Sequence, residues 1–274
     1  MSLCSIVCVY HPNKETLLTQ ITSLLNFGDV YIVDNSNTLS LDYLKDFENV
    51  FLMNPNQNIG TLGAYNFVFN LDINYDLYWL WDQDTIVSIT EGYKFMEASK
   101  TIFKSDLKCI ATTFFDKKNY VHPLFKHKIL TKASTTLFNK KKTEQFLKLR
   151  FDEELFMDYG DFDFAYKIYK SGARIHQIHV ANYTHEFGEK VQTRLGSYSK
   201  SSNFRMYMQG ANTIKIIKKH GLFSFPASLL IIRVLVFPFK EILLFNTVSS
   251  FIFLYRGILD GIKNKVDYFC NQQP

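Results

Sequence analysis

Leu77-Tyr78-Trp79-Leu80-Trp81-Asp82-Gln83-Asp84 is an apolar run that ends abruptly in two carboxylates. It reads as a buried strand that delivers acid to a cleft. Where the backbone stays extended, alternate side chains share a face, so Asp82 and Asp84 point at one ligand while Gln83 points away. Two converging carboxylates with no Cys or His pair nearby favour Mg²⁺ or Mn²⁺ over zinc, completed by phosphate oxygens. A solvated turn after a core strand is the plainer alternative, and the rest of the chain has to decide between them.

Upstream, the same cycle of apolar run and polar end occurs three times. Leu3 to Tyr10 runs into His11-Pro12-Asn13, Val30 to Val33 into Asp34-Asn35-Ser36-Asn37, and Val50 to Met53 into Asn54-Pro55-Asn56-Gln57-Asn58. Helical patterns follow the first through Leu17, Leu18, Ile21, Leu24 and Leu25, and the third from about Thr61 to Leu71. Strands alternating with helices predict an α/β fold with a mainly parallel sheet covered on both faces, whose ligand sits at the carboxyl ends of the strands. Those ends carry Tyr10, His11, Asp34, Asn58, Gly60 and Asp82. A strand-end acid can take ribose hydroxyls or a base edge, and a helix starting after Gly60 can face phosphate. Neither G-x-x-x-x-G-K nor G-x-G-x-x-G is present, so a nucleotide would be held another way.

Beyond the opening run, a helix to about Lys104 and a strand from Leu107 to Phe114 precede a mixed region, 120–138, that reads as antiparallel strands. Asp158, Asp161 and Asp163 then cluster at the start of a short helix that Gly172 stops. Capping and dipole complementarity account for one or two of them. The surplus acid is a candidate general base. His185 follows a strand-like run, and the Ser/Lys/Arg/Gly-rich segment 189–202 is expected to be a mobile loop that could cover the site.

Hydrophobic residues make up 47% of the 274 residues and aromatics 16%, which describes a folded chain with a sizeable core. Cys4, Cys8, Cys109 and Cys270 form no C-x-x-C pair and read as reduced thiols of a cytoplasmic protein. No secretory signal is expected, because Leu3 to Val9 follows the first residues with no basic region or cleavage site. Charge is uneven. From Lys200 onward ten Lys and Arg face three Asp and Glu, against 21 and 23 before it, so the excess positive charge lies in the last quarter.

Taken together, Val9-Tyr10-His11-Pro12, Val33-Asp34-Asn35-Ser36, Asn58-Ile59-Gly60, Asp82-Gln83-Asp84, Phe151-Asp152-Glu153, Leu155-Phe156-Met157-Asp158-Tyr159 with Asp161, and His185 with Gly188 resemble the inverting, nucleotide-sugar-dependent glycosyltransferases of the GT-A fold, in particular bacterial rhamnosyltransferase-like enzymes. The resemblance runs from Ile6 to about Asn212, with a weaker echo at Arg256-Gly257-Ile258-Leu259-Asp260-Gly261. It implies that Tyr10, His11, Asp34, Asn58 and Gly60 line the nucleotide pocket and that Asp82 meets ribose or a metal-bound water. It places the divalent ion, Mg²⁺ or Mn²⁺, on Asp84 with His185, and makes Asp161 the catalytic base, with Asp158 competing. Arg205 matches a family arginine near the acceptor or the diphosphate. The chain departs from the family at Lys167, often an arginine, and at Ala211-Asn212, where an R-N pair is usual. Sugar transfer from a nucleotide-diphosphate donor to a lipid-linked saccharide of bacterial surface polysaccharide is the implied activity.

Residues 222–239 are mostly apolar, but Pro226, Arg233 and Pro238 interrupt them, so a spanning helix is not expected. Arg233 and Lys240, like Arg256 and Lys263, are seven apart and share a helical face. With Phe and Leu opposite, that pattern reads as helices lying in a membrane interface, or as a helical hairpin packed on protein. The expected division is a catalytic domain over residues 1–220 and an amphipathic helical region over 221–274, peripheral on the inner face of the cell membrane, with oligomerisation open. Two rival readings exist. A haloacid-dehalogenase-type phosphatase would begin at Asp82-Gln83-Asp84-Thr85, but Ile86 and Ala165 stand where it wants other residues. A non-enzymatic membrane-surface or nucleic-acid-binding protein would use the basic tail, but no recognised nucleic-acid module is present, and no nucleic-acid partner is expected.

Overall fold

The computed structural model describes residues 1–36, 41–115, 125–128, 131–179, 181–185, 190–193, 196–199, 201–245 and 248–266. Asn37, Cys270, part of the 120–138 region and Glu186-Phe187-Gly188 after His185 lie outside the described residues. Contacts divide the chain into two units, Met1–Phe151 with Phe164–Glu186, and Asp152–Asp163 with Phe187–Pro274. The boundary expected at residue 220 falls inside the second unit.

The first unit contains β1 (Leu3–Val9), α1 (Lys14–Leu24), β2 (Asp29–Asp34), β3 (Val50–Met53), α2 (Gly60–Phe69), β4 (Leu77–Asp82), β5 (Thr85–Ile86), α3 (Ile89–Ser105), β6 (Cys109–Phe114), β7 (Phe125–Lys128), β8 (Leu137–Asn139) and α4 (Lys140–Phe146). It ends with most of α5 (Gly160–Lys170), through which the division passes, then β9 (Arg174–Ile178) and β10 (Thr184–His185). Eight strands form one sheet in the order β3-β2-β1-β4-β8-β6-β9-β7. β8 pairs antiparallel with both β4 and β6, and β7 with β9; the other pairings are parallel. The mainly parallel sheet expected from the sequence is therefore present, with its antiparallel members in the 120–138 region.

Alternation along each central strand feeds two cores. Leu3, Val7 and Val9 of β1, Val30 and Ile32 of β2, and Leu77, Trp79 and Trp81 of β4 join Leu17, Ile21 and Leu24 of α1 and Phe95 and Ile102 of α3. The intervening residues Cys4, Ile6, Cys8, Tyr31, Val33, Tyr78 and Leu80 join Leu62, Tyr65 and Val68 of α2 and Phe164 and Ile168 of α5. A strand buried on both faces is apolar along most of its length, with the buried Ser5 an exception in β1, which is why these runs show no polar alternation. Cys4, Cys8 and Cys109 are buried and free.

The second unit contains β11 (Lys190–Thr193), β12 (Gly196–Ser199), α6 (Asn203–His220), α7 (Phe225–Phe245) and α8 (Ser249–Lys263). β11 and β12 pair antiparallel, so part of the stretch expected to be a loop forms a two-stranded ladder. α6 and α8 are packed backbone to backbone. A Cβ on Gly257 would lie 1.9 Å from the Tyr207 carbonyl oxygen, and one on Gly210 would lie 2.2 Å from that of Leu254. Lys218 closes the contact by donating to the carbonyl oxygens of Gly261 (2.8 Å) and Ile262 (3.0 Å) at the end of α8. Gly257-Ile258-Leu259-Asp260-Gly261 thus has a packing reason, with Asp260 accepting from the Tyr207 hydroxyl at 3.1 Å. Gly257→Val is expected to destabilise the chain by about 1–3 kcal/mol through overpacking. Urea unfolding followed by circular dichroism checks this, and Ile258→Val serves as the mild control.

Candidate active site

In the first unit, register fixes the strand ends before any side chain is considered. Cys8 of β1 stands opposite both Val33 of β2 and Asp82 of β4, and Val9 stands opposite Asp34. Because the three strands are parallel, Tyr10, Asp34 and Asp82 emerge at one edge of the sheet.

Asn35 ties that edge to α2. Its side-chain amide donates to the Gly60 carbonyl (3.2 Å) and to the Cys8 sulfur (3.3 Å), and its Oδ1 accepts from the Ile59 amide (3.2 Å). Asn58 Oδ1 accepts from the Gly60 amide at 2.9 Å, and Gly60 has φ +71°, so the chain turns sharply into the helix where a side chain would be strained. No side chain caps the first turn of α2 at Ile59. Asp34 is buried and accepts from the Ser36 amide at 2.8 Å, a local turn of the kind the sequence allowed as an alternative. The Ser36 hydroxyl accepts from the His11 amide at 2.7 Å, and His11 has φ +46°. Tyr10 is exposed, with its ring edge-on to that of His11 at 4.5 Å.

The acidic pair does not share an extended face. β4 stops at Asp82, and Gln83-Asp84 form a turn before β5, so the premise of alternate side chains on one strand is replaced by a turn. Gln20 of α1 holds both ends of the turn, donating to the carbonyl oxygens of Asp82 (2.8 Å) and Thr85 (2.6 Å). Asp82 keeps the parity of Tyr78 and Leu80, and its Oδ1 accepts from the Tyr65 hydroxyl of α2 at 3.1 Å. Gln83, which has no role on a sequence reading, clamps the end of β1. Its Oε1 accepts from the Tyr10 amide (2.6 Å), and its Nε2 donates to the Tyr10 carbonyl (3.1 Å). β10 pairs antiparallel with β5 and sets His185 opposite Thr85, next to Asp84 in the chain. Among the described residues no three of His, Cys, Asp and Glu cluster at a metal-binding spacing. Burial, with Asp82 nearby, pushes the Cys8 thiol up to about 12, which removes it as a nucleophile.

In the second unit the three aspartates separate into different environments. Asp163 is fully buried and bonded by Lys219 at 2.9 Å and by the His220 ring at 2.6 Å. Asp158 and Tyr159 both have positive φ, +60° and +66°. Arg205 of α6 donates to both Asp158 oxygens, with contacts of 2.7–3.1 Å, and Gln209 adds a bond at 2.9 Å. Asn212 donates to the Asp158 carbonyl at 3.0 Å and also to that of Met157. Asp161 is half-buried in the first turn of α5, and its Oδ1 accepts from the Phe162 amide at 2.9 Å. Gln20 and Tyr65 carry little signal in the sequence, and Gln83 was expected only to point away. Single polar residues inside apolar helices or turns carry no pattern, although buried glutamine on the core side of α1 is a weak signal.

No protein-family model matches the chain, and no curated protein matches it in sequence. Solved structures do match. The Staphylococcus aureus protein TarS, residues 1–349 in complex with UDP-GlcNAc, aligns over 97% of this chain and 82% of its own, with TM-score 0.59 and 16% identity. The same TarS fragment with UDP gives TM-score 0.56 at 15% identity, covering 97% and 83%. GalNAc-T7 with UDP, GalNAc and Mn²⁺ gives 0.57 at 10% identity, covering 97% of this chain and 58% of its own. At these identities the likeness establishes the fold, and the chain has the GT-A architecture.

Asn35→Ala would leave the part-buried Ile59 amide without its partner and loosen the tie to Gly60, and we expect a loss of about 1–3 kcal/mol in chemical denaturation. An unchanged midpoint would show that Asn35 does not carry the junction.

Proposed function

We propose that the chain is a metal-assisted inverting glycosyltransferase, taking a sugar from a nucleotide-diphosphate donor to a hydroxyl of a lipid-linked saccharide in bacterial surface polysaccharide synthesis. The single observation that carries this is the register that brings the ends of β1, β2 and β4 to one edge beside the start of α2, in a GT-A fold. The UDP complexes of TarS and GalNAc-T7 support a nucleotide donor. Tyr10, His11, Asp34, Asn58 and Gly60 are the nucleotide candidates, with Asp82 toward the ribose. The resemblance points to a rhamnosyl donor, whereas the TarS complex puts UDP-GlcNAc beside it on any donor panel.

A divalent ion fits Asp84 with His185, because the β5–β10 ladder brings their stretches of backbone together and a hard cation needs few protein ligands when phosphate oxygens complete its shell. When bound, Mg²⁺ or Mn²⁺ supplies Lewis-acid neutralisation of the leaving diphosphate. The Mn²⁺ in the GalNAc-T7 structure supports that choice. A carboxylate removes the acceptor hydroxyl's proton as the new bond forms. Both Asp158 oxygens accept from Arg205 and Gln209, which suits a positioning role for the Asp158–Arg205 pair, and the resemblance puts the base on Asp161.

A membrane-facing surface accords with the lipid-linked acceptor. Phe225, Leu229, Ile232, Val236, Phe239 and Leu243 are exposed at alternating spacings of four and three along α7, hence on one face. Arg233 and Lys240 are exposed beside them, and Ile252, Tyr255 and Ile262 are exposed on α8. Among the described residues no helix is long and apolar enough to cross a membrane, which suits attachment in the interface at the cytoplasmic side.

A panel of nucleotide sugars, scored by diphosphate release, tests the activity. Asp84→Ala should abolish Mg²⁺- or Mn²⁺-dependent nucleotide binding; equal binding with and without metal would remove the metal assignment. Asp161→Asn should bind donor normally and lose transfer by at least about a hundredfold. Retained transfer would move the base to Asp158. Phe239→Asp with Leu243→Asp should release the chain from anionic phosphatidylglycerol vesicles in a sedimentation assay, and undiminished binding would rule out α7 as the contact.

A further inference from the structure

The first unit holds a cleft of about 730 Å³ that none of the nucleotide, metal or base candidates lines. Thr19, Thr22 and Ser23 of α1 form one wall, the stretch from Ile86 to Ile89 with Glu91 another, and Asn182, Tyr183 and Thr184 the third. Its volume is that of a small-molecule site, which typically spans about 300–1,000 Å³.

The chemistry of the walls selects the ligand. No Lys, Arg or His lines the cleft, so a phosphate or nucleotide would meet no cation. The one carboxylate, Glu91, is already bonded by Lys94 at 2.6 Å and by the Asn182 amide at 2.7 Å. The Lys94 hydrogen bond holds that carboxyl below the usual range, so it serves the wall rather than a cationic ligand. What remains is a lining in which the apolar side chains of Ile86, Val87, Ile89 and Tyr183 are interspersed with threonine and serine hydroxyls and the Asn182 amide. A pyranose has the matching surface, with apolar C–H faces and a girdle of hydroxyls, and an aromatic side chain suits such a face.

The location is also informative. Thr184 and Ile86, which both line the cleft, face each other in the β5–β10 ladder, and the adjoining residues of that ribbon are His185 and Thr85, next to Asp84. A ligand seated here lies against the two-stranded ribbon that carries His185 and that Asp84 leads into.

We propose that this cleft binds a neutral saccharide, holding a sugar unit of the acceptor beyond the one that reacts. Its role as an acceptor site rests on the transferase reading above, but saccharide binding itself does not. Saturation-transfer NMR on the full chain tests it, using the methyl glycosides of glucose, galactose, N-acetylglucosamine and rhamnose as probes. At least one glycoside should receive saturation from the unaltered protein. Thr22→Trp and Thr19→Arg, both at exposed helix positions, should each weaken that binding about tenfold or more while melting normally. Absence of any glycoside signal, or signals undiminished in the folded variants, overturns the proposal. A panel of nucleoside diphosphates (UDP, GDP, dTDP) titrated with Mg²⁺ or Mn²⁺ into the unaltered chain reads the donor site separately. Failure of all of them to bind would sink the transferase reading, while a glycoside signal sensitive to Thr22 would still support the cleft.

Discussion

Everything at the strand-end edge depends on β1 being paired in parallel on both sides. All seven of its residues are buried, so a shift of one position would turn its Val7 and Val9 side chains from one core to the other. The register is therefore held by two packed layers at once. That same register decides which residues appear together where the strands end: Tyr10, Asp34 and Asp82 are neighbours because Val9 lies opposite Asp34 and Cys8 opposite Asp82. Core packing thus does the coarse positioning, and a few amides refine it. Asn35 fastens the edge to α2, Gln20 fastens it to α1, and Gln83 fastens β4 to β1.

The second unit solves a different problem, that of holding an irregular acidic segment in place. Asp158 and Tyr159 occupy the left-handed region, which is unfavourable for residues with a side chain unless their surroundings hold them there. α6 supplies that hold through Arg205, Gln209 and Asn212, at three positions spaced to face one way. α6 is in turn buttressed by α8 through glycines that bring the two backbones into contact. α8, amphipathic in sequence, therefore supports the helix that fixes Asp158.

The regular parts of this arrangement were legible in the sequence because they obey periodic rules. Doubly buried strands announce themselves as unbroken apolar runs, and the polar residues that close them mark the edge where ligands gather. Three kinds of feature were not legible. The path of Gln83-Asp84 turned on whether β4 continued, and a turn pinned by Gln20 from elsewhere in the chain leaves no local trace. The split among Asp158, Asp161 and Asp163 depended on which partner each met, and Lys219 and His220 lie more than fifty residues away from Asp163. The segment before Asn203 had a loop-like composition, yet part of it pairs as β11 and β12, because Val191, Thr193 and Tyr198 favour a strand despite the Gly and Ser around them.

The turn at Gln83 changes what the two acids can do. On one extended strand they would form a pincer with equal claims on a cation. Here Asp82 ends the strand on the α2 side and is oriented by the Tyr65 hydroxyl, while Asp84 lies beyond the turn, where β10 brings His185 alongside. Different surroundings give similar carboxylates different tasks. Asp82 stands at the end of the strand beside the start of α2, and Asp84 beyond the turn, beside the β5–β10 ribbon. The glutamine between them is clamped to the main chain of Tyr10 by both ends of its amide. Its side chain also joins the exposed Tyr10 to the acidic turn, so the aromatic residue and the two carboxylates are positioned as one piece.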